Sequence, residues 1–247
     1  MTGQFTHKVV VVTGASRGLG RGCAQVFAAE GAEVVLLARG STDLDEAVES
    51  IRRQGGVARS VPCDVTQPDQ VQGVFASLER CDVLINNAGG NRPQPFLEVD
   101  LATLDTYLSL NVRAMFVAAQ AAARRMVAAR AGVIINMSSQ MGHVGGPDRT
   151  VYCMTKHAVE GLTKAMALDL ASYGIRVNAV APTYVETPMT RPFFAEGPFQ
   201  QDVLRRIPLG RLGTIAEVAA AVMFLASPGA SLITGTSLLV DGGYTAQ

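Results

Sequence analysis

The sequence predicts an α/β protein, a doubly wound parallel sheet of about seven strands with helices on both faces. Short Val/Ile/Leu runs alternate with helix-period segments almost from end to end. Most of those runs are apolar at successive positions rather than at every second one, which is the pattern of strands covered on both sides. A chain of 247 residues, 48% hydrophobic and 17% charged, is long and apolar enough to bury one such core.

Taken in order, the apolar run KVVVVT at residues 8–13 is the first strand, and residues 18–30 form a helix behind a glycine cluster. A strand at 33–38, a helix at 43–54, a strand at 57–63, a helix at 68–78 and a strand at 82–86 repeat the unit. One long helix is expected over 104–129, followed by a strand at 133–137. A helix at 151–173, a strand at 176–180, a helix at 215–226 and a strand at 237–240 complete the chain. Residues 181–213 are rich in Pro, Gly and Phe and break the alternation. A break of that length inside a compact domain marks a lid or binding loop. With no repeat or linker in view, residues 1–247 read as a single domain with a substrate-loop insertion at about 183–213.

Lys+Arg and Asp+Glu both number 21, and this balance argues against a partner that is nucleic acid or a membrane surface. No apolar run approaches the roughly 20 residues that span a bilayer. The start MTGQFTHK lacks the charged and apolar regions of a signal peptide, so a cytoplasmic protein is expected. Cys23, Cys63, Cys81 and Cys153 show no ligand spacing, so no metal is expected and the thiols are read as packing residues.

The loop after the first strand reads Thr13-Gly14-Ala15-Ser16-Arg17-Gly18-Leu19-Gly20. Glycines there permit a tight turn, close approach of the backbone to a pyrophosphate, and close packing of helix on strand. The following helix offers free N–H groups and a positive dipole end to the phosphates. Strand before and helix after make this a Rossmann-type dinucleotide site. The second strand ends Leu36-Leu37-Ala38-Arg39, with no carboxylate to take a ribose 2′-hydroxyl. Arg39 and Arg17 suit a 2′-phosphate instead, so NADP(H) is favoured over NAD(H). The alternative is that both are solvated or that Asp43 and Asp45 neutralise Arg39.

Tyr152 and Lys156 lie four positions apart in a predicted helix, hence on one face. An ammonium roughly 4 Å from a phenol, at an effective dielectric near 20, contributes about 4 kcal/mol toward the phenolate, or about three pKa units before desolvation. That size makes a tyrosine a working acid/base near neutral pH. The strand before it ends Asn136-Met137-Ser138-Ser139, at the edge where open α/β sheets bind ligands, and Ser139 can hydrogen-bond a substrate oxygen.

With these motifs together, the sequence resembles the short-chain dehydrogenase/reductase family in its single-domain form. Thr13 to Gly20 matches TGxxxGxG, Asn86-Asn87-Ala88-Gly89 matches NNAG, and Tyr152/Lys156 matches YxxxK. The resemblance implies that Asp64 and Val65 contact adenine, and that Asn87, Ala88 and Gly89 line the cofactor. It implies that Tyr152 exchanges a proton with the alcohol or carbonyl oxygen, and that Lys156 lowers the tyrosine pKa and holds the nicotinamide ribose. Ser139 then positions the substrate oxygen, and Asn111 holds a water relaying protons through Lys156. Pro182, Val185 and Thr187 keep the family's spacing beside the nicotinamide, but Thr183 stands where the family usually has glycine.

The expected substrate is a small secondary alcohol or ketone, polyol- or sugar-like, met by Ser139, Gln140, His143, Tyr152, Thr183 and Tyr184. Asp148 lies in the same loop, and Phe193, Phe194 and Phe199 are either an apolar lid or core and interface residues. A 3-oxoacyl-[acyl-carrier-protein] reductase is the alternative, with Arg130 placed to meet an acidic carrier but Tyr173 where a second arginine would stand. A non-catalytic cofactor-binding protein is the alternative of another class. The apolar helices at 104–129 and 151–173 point to a homotetramer or homodimer.

Overall fold

The computed structural model describes residues 3–40, 42–187, 190, 194 and 197–246, with backbone alone at 198 and 199. Seven strands form one sheet, β1 (Val9–Thr13), β2 (Glu33–Ala38), β3 (Val57–Pro62), β4 (Val83–Asn86), β5 (Gly132–Met137), β6 (Ile175–Pro182) and β7 (Ser237–Val240). Their order is 3-2-1-4-5-6-7 and every pairing is parallel. The order reverses between β1 and β4, and ligands of such sheets bind at the strand ends beside that reversal.

Because side chains alternate across a strand, each strand feeds two cores. Val10, Val12, Val34, Leu36 and Ile85 pack with α1 (Gly18–Ala29), α2 (Thr42–Arg53) and α8 (Ile215–Ala226) on one face. Val11, Val35, Leu37, Leu84 and Ile134 pack with α3 (Pro68–Ser77), α5 (Ala114–Ala129) and α6 (Thr150–Leu170) on the other. This accounts for the uninterrupted apolar runs. At its start α8 is fixed by a reciprocal cap, with Glu217 N donating to Thr214 Oγ1 at 3.2 Å and Thr214 N to Glu217 Oε2 at 2.8 Å.

Three expectations need correction. The long helix expected over 104–129 is α4 (Leu101–Leu108), a π turn at Ser109–Arg113, and then α5. A π turn is a single i→i+5 turn, too short to be recognised as a break in the apolar period of the long segment around it. The last residues of the helix expected over 151–173 form a separate 3₁₀ turn, Ala171–Tyr173. Within the expected loop lies a further helix, α7 (Pro198–Arg205), with Pro198 at its first turn, where a missing N–H costs nothing. Among the described residues no helix is long and apolar enough to cross a membrane.

Candidate active site

The glycine loop is built against the end of β4. Gly14 has φ +64°, and a Cβ there would meet Ala88 Cα at 2.9 Å. A Cβ on Gly20 would sit 2.3 Å from Gly14 O, so neither position tolerates a side chain. A Cβ on Gly18, by contrast, would find nothing closer than Thr187 Cγ2 at 4.0 Å, so the loop is closed toward the protein and open outward. Thr13 Oγ1 accepts from Asn87 N at 2.9 Å and Ala88 N at 3.0 Å, and Asn87 Nδ2 donates to Thr13 O at 3.0 Å. Thr13 is therefore the clamp holding NNAG to the loop, a role that sequence reading missed. The first turn of α1 has no side-chain cap at Arg17, leaving its N–H groups to a ligand.

The cofactor residues named from the sequence converge on this edge. Ser16 is half-buried, and Leu19 packs on the core under the loop. Arg17 and Arg39 are exposed, and neither forms an ion pair among the described residues. Asp45 instead accepts from Ser60 Oγ at 2.9 Å. Asp64 accepts from Thr66 Oγ1 at 2.7 Å and Thr66 N at 3.0 Å, and these bonds hold its carboxyl below the usual range. Val65 is buried. Pro182 ends β6, Val185 bridges to Gly213, and Thr187 is tied to Thr190. Thr183 is absent from the residues with positive φ, so replacing glycine there carries no backbone strain.

Ser139 caps the 3₁₀ turn Gln140–Gly142 just beyond β5, accepting from Met141 N at 3.2 Å. Its hydroxyl also hydrogen-bonds the phenol of Tyr152 on α6. One turn on, Lys156 is buried, and its Nζ donates to Met137 O at 2.8 Å, 5.6 Å from the Tyr152 ring centre. A Cβ on Gly89 would touch Asn111 Oδ1 at 3.2 Å and Lys156 Nζ at 3.9 Å, so NNAG, Asn111 and Lys156 meet. Asn111 sits in the π turn, accepting from Gly90 N and donating to Gly90 O, each at 2.9 Å, and to Thr155 Oγ1 at 3.1 Å.

The expected electrostatics are revised. Burial pushes the Tyr152 phenol above its usual value, opposed by the Ser139 bond and by the charge of Arg149 rather than by Lys156. Burial also pushes Lys156 down to about 8, with Glu160 pulling it up. Desolvation acts on both partners and exceeds the pairwise attraction that helix spacing suggests.

Two neighbours of this pair were not singled out in the sequence. Glu160, a buried carboxylate one turn past Lys156, accepts from Ser138 Oγ and from Ser237 Oγ at 3.0 Å, with His143 Nε2 at 3.3 Å. An acid four positions beyond a catalytic lysine was the available signal. Arg149, at the N-cap of α6, bonds the Tyr184 phenol. Of the expected substrate residues, Gln140 is buried beside Ser139, whereas the His143 ring turns to Glu160 and to Ser237 Oγ at 3.1 Å. Phe194 stacks edge-on against Tyr184 at 5.8 Å between ring centres. Phe193 and the side chain of Phe199 lie outside the described residues. All four cysteines are buried, and burial pushes Cys23 and Cys81 up to about 12.

Residues 14–245 match a family model described as Enoyl-(Acyl carrier protein) reductase, within the short-chain dehydrogenases/reductases. The chain belongs to the short-chain dehydrogenase/reductase family. It is an NAD(P)-dependent oxidoreductase of that family. Gluconate 5-dehydrogenase of Gluconobacter oxydans is 40% identical over 95% of this chain and 93% of its own. L-xylulose reductase of Bos taurus is 40% identical over 96% of each. A crystal structure from Beutenbergia cavernae, described as an NAD(P)-dependent gluconate 5-dehydrogenase with NADP at low occupancy, superposes with a TM-score of 0.94. It is 36% identical over 99% of this chain and 100% of that one.

Proposed function

We propose that this protein transfers a hydride between NADP(H) and a secondary alcohol or ketone of polyol or sugar type. The observation that carries the proposal is the Tyr152 phenol beside the Ser139 hydroxyl at the carboxyl edge of the sheet, one turn from buried Lys156, whose Nζ lies 5.6 Å from the Tyr152 ring centre. When bound, the nicotinamide donates or accepts the hydride. The glycine loop fits such a cofactor, because it is closed toward β4, open outward at Gly18 and continuous with uncapped helix N–H groups.

Gly14, Ser16, Arg17, Gly18, Leu19 and Gly20 would hold the pyrophosphate, with Asp64 and Val65 at the adenine. Asn87, Ala88 and Gly89 would line the middle, and Pro182, Val185 and Thr187 the nicotinamide end, with Tyr152 and Lys156 at its ribose. Ser139 orients the substrate oxygen, and the Tyr152 phenol gives it a proton in reduction or takes one in oxidation. The side-chain amide of Asn111 is committed to Gly90 and Thr155, so a relay water would be held by its backbone carbonyl beside the π turn.

NADP(H) preference rests on exposed Arg17 and Arg39, neither of which forms an ion pair among the described residues. Replacing both by alanine should erase an NADP(H) preference of about 10- to 100-fold, read as kcat/KM with each cofactor. An unchanged ratio would assign the preference elsewhere. For the carrier-protein alternative, exposed Arg130 remains available, with Nη2 donating to Ser172 O at 3.0 Å, whereas Tyr173 stands where a second arginine would be expected. A panel of ketones, polyols and acyl thioesters tests the substrate class, and a strong preference for carrier-bound 3-oxoacyl chains would overturn it. Turnover of any of these excludes a purely binding role.

The expected homotetramer or homodimer stays part of this proposal. Leu108, Val112 and half-exposed Phe116 line a groove along α4 and α5, a face suited to a second copy of the chain. Sedimentation should give a multiple of the 26.0 kDa monomer mass, and a monomer would refute it.

A further inference from the structure

Four side-chain atoms among the described residues are buried without a hydrogen-bond partner: Gln94 Oε1, Gln140 Oε1, Arg149 Nη1 and Thr183 Oγ1. They are not scattered. Gln140 follows Ser139, Thr183 precedes Tyr184, and Arg149 bonds Tyr184 and acts on Tyr152 through its charge. The Gln94 backbone N–H donates to Asp148 O at 2.9 Å, which brings that residue to the same loop. A buried polar atom left unpaired costs stability, and orphans gathered beside one acid/base pair are paired by what binds there.

The chemistry of the orphans specifies the ligand. Gln140 Oε1 is an acceptor and asks for a hydroxyl donor, and the Thr183 hydroxyl serves either role. Arg149 Nη1 is part of a permanent cation. Its charge acts on the phenols of Tyr184 and Tyr152, and no carboxylate forms an ion pair with it among the described residues. A half-buried guanidinium with one buried, unpaired nitrogen suits an anion. One unpaired nitrogen matches a monoanionic carboxylate better than a phosphate dianion, which needs more donors than this nitrogen supplies.

We infer that Arg149 anchors a carboxylate of the substrate, so that the substrate is a polyhydroxy acid, or the corresponding keto acid, rather than a neutral polyol. The inference rests on the oxidoreductase reading and narrows it. Arg149 also acts on Tyr152, so its loss alters catalysis for every substrate. The ratio between two matched substrates cancels that common factor and isolates the carboxylate contact.

The experiment compares D-gluconate with D-glucitol, identical except for one carboxylate, in the native chain, Arg149→Gln and Arg149→Lys, with NADP⁺. The native chain should favour the acid by about tenfold or more in kcat/KM, the worth of one charged hydrogen bond. Arg149→Gln should bring the ratio close to one, mainly through KM, and Arg149→Lys should restore part of it. Equal use of both substrates by the native chain, or a ratio unchanged in Arg149→Gln, would overturn the inference. Calorimetric titration of D-gluconate into the NADP⁺-loaded protein separates the two readings. Binding that Arg149→Gln weakens about tenfold, without turnover, would sink the oxidoreductase reading and keep this one. No binding by the native chain would sink this one.

Discussion

Tyr152→Phe is expected to lower kcat by about 10²- to 10⁴-fold, the range supplied by a positioned proton donor. The substitution keeps the ring and removes only the hydroxyl that bonds Ser139. Folding and cofactor binding should therefore change far less than turnover, as read by thermal melting and by quenching or energy transfer on cofactor titration. Because kcat and kcat/KM should fall together, the loss belongs to the transition state. Turnover persisting within a few-fold of the native rate would move the proton donor to another group.

Lys156→Met carries the second large effect, and it has two parts with opposite signs. Turnover should fall by about 10²- to 10⁴-fold, because the buried ammonium beside Tyr152 and Gly89 is lost. Stability should respond differently with pH. The folded chain holds Lys156 at about 8 where an ordinary lysine titrates at 10.5. Between those two values the unfolded chain binds more protons, so native stability gains as pH rises through the window. At pH 7 the group is charged in both states and the native fold bears the whole cost of burying it, about 3 kcal/mol at most. The bond to Met137 O offsets part of that cost, since methionine leaves the carbonyl without this donor. Unfolding free energies of variant and native chain, measured by denaturant at pH 7 and pH 10, should therefore shift in favour of the native chain at the higher pH. A difference independent of pH would mean that Lys156 is not held below its ordinary value.

Much of the fold was legible because its signals are local and repeated. Seven segments, most of them apolar runs such as KVVVVT and VIINM, marked seven strands, and the general lack of alternation reported helices on both faces. The glycine loop, NNAG and YxxxK could be read for the same reason, since each needs fixed residues at fixed spacing beside a strand end. What was not legible depends on three-dimensional competition. The π turn at Ser109–Arg113 holds Asn111, whose side chain bonds Gly90, and that partner is distant in sequence and not visible as periodicity. The direction of the Tyr152 shift depends on how deeply phenol and ammonium are buried, and helix spacing supplies only their separation. His143 looked available as a loop residue, but the sheet carries Ser237 to it, and α6 carries Glu160. Arg149 carries no signal of its own in the sequence, because its part in the site depends on Tyr184, which follows β6 in the chain and is brought beside it by the fold.

The central claim is that the phenol of residue 152 becomes the proton carrier once a positively charged nicotinamide adjoins it. Its most direct test is an ultraviolet titration of tyrosinate, native chain minus Tyr152→Phe, with and without NADP⁺. Without cofactor the difference spectrum should titrate above 10, the side to which burial moves the phenol. With NADP⁺ it should titrate below its cofactor-free value, toward neutrality. A midpoint that does not move on saturation with NADP⁺ would contradict the account.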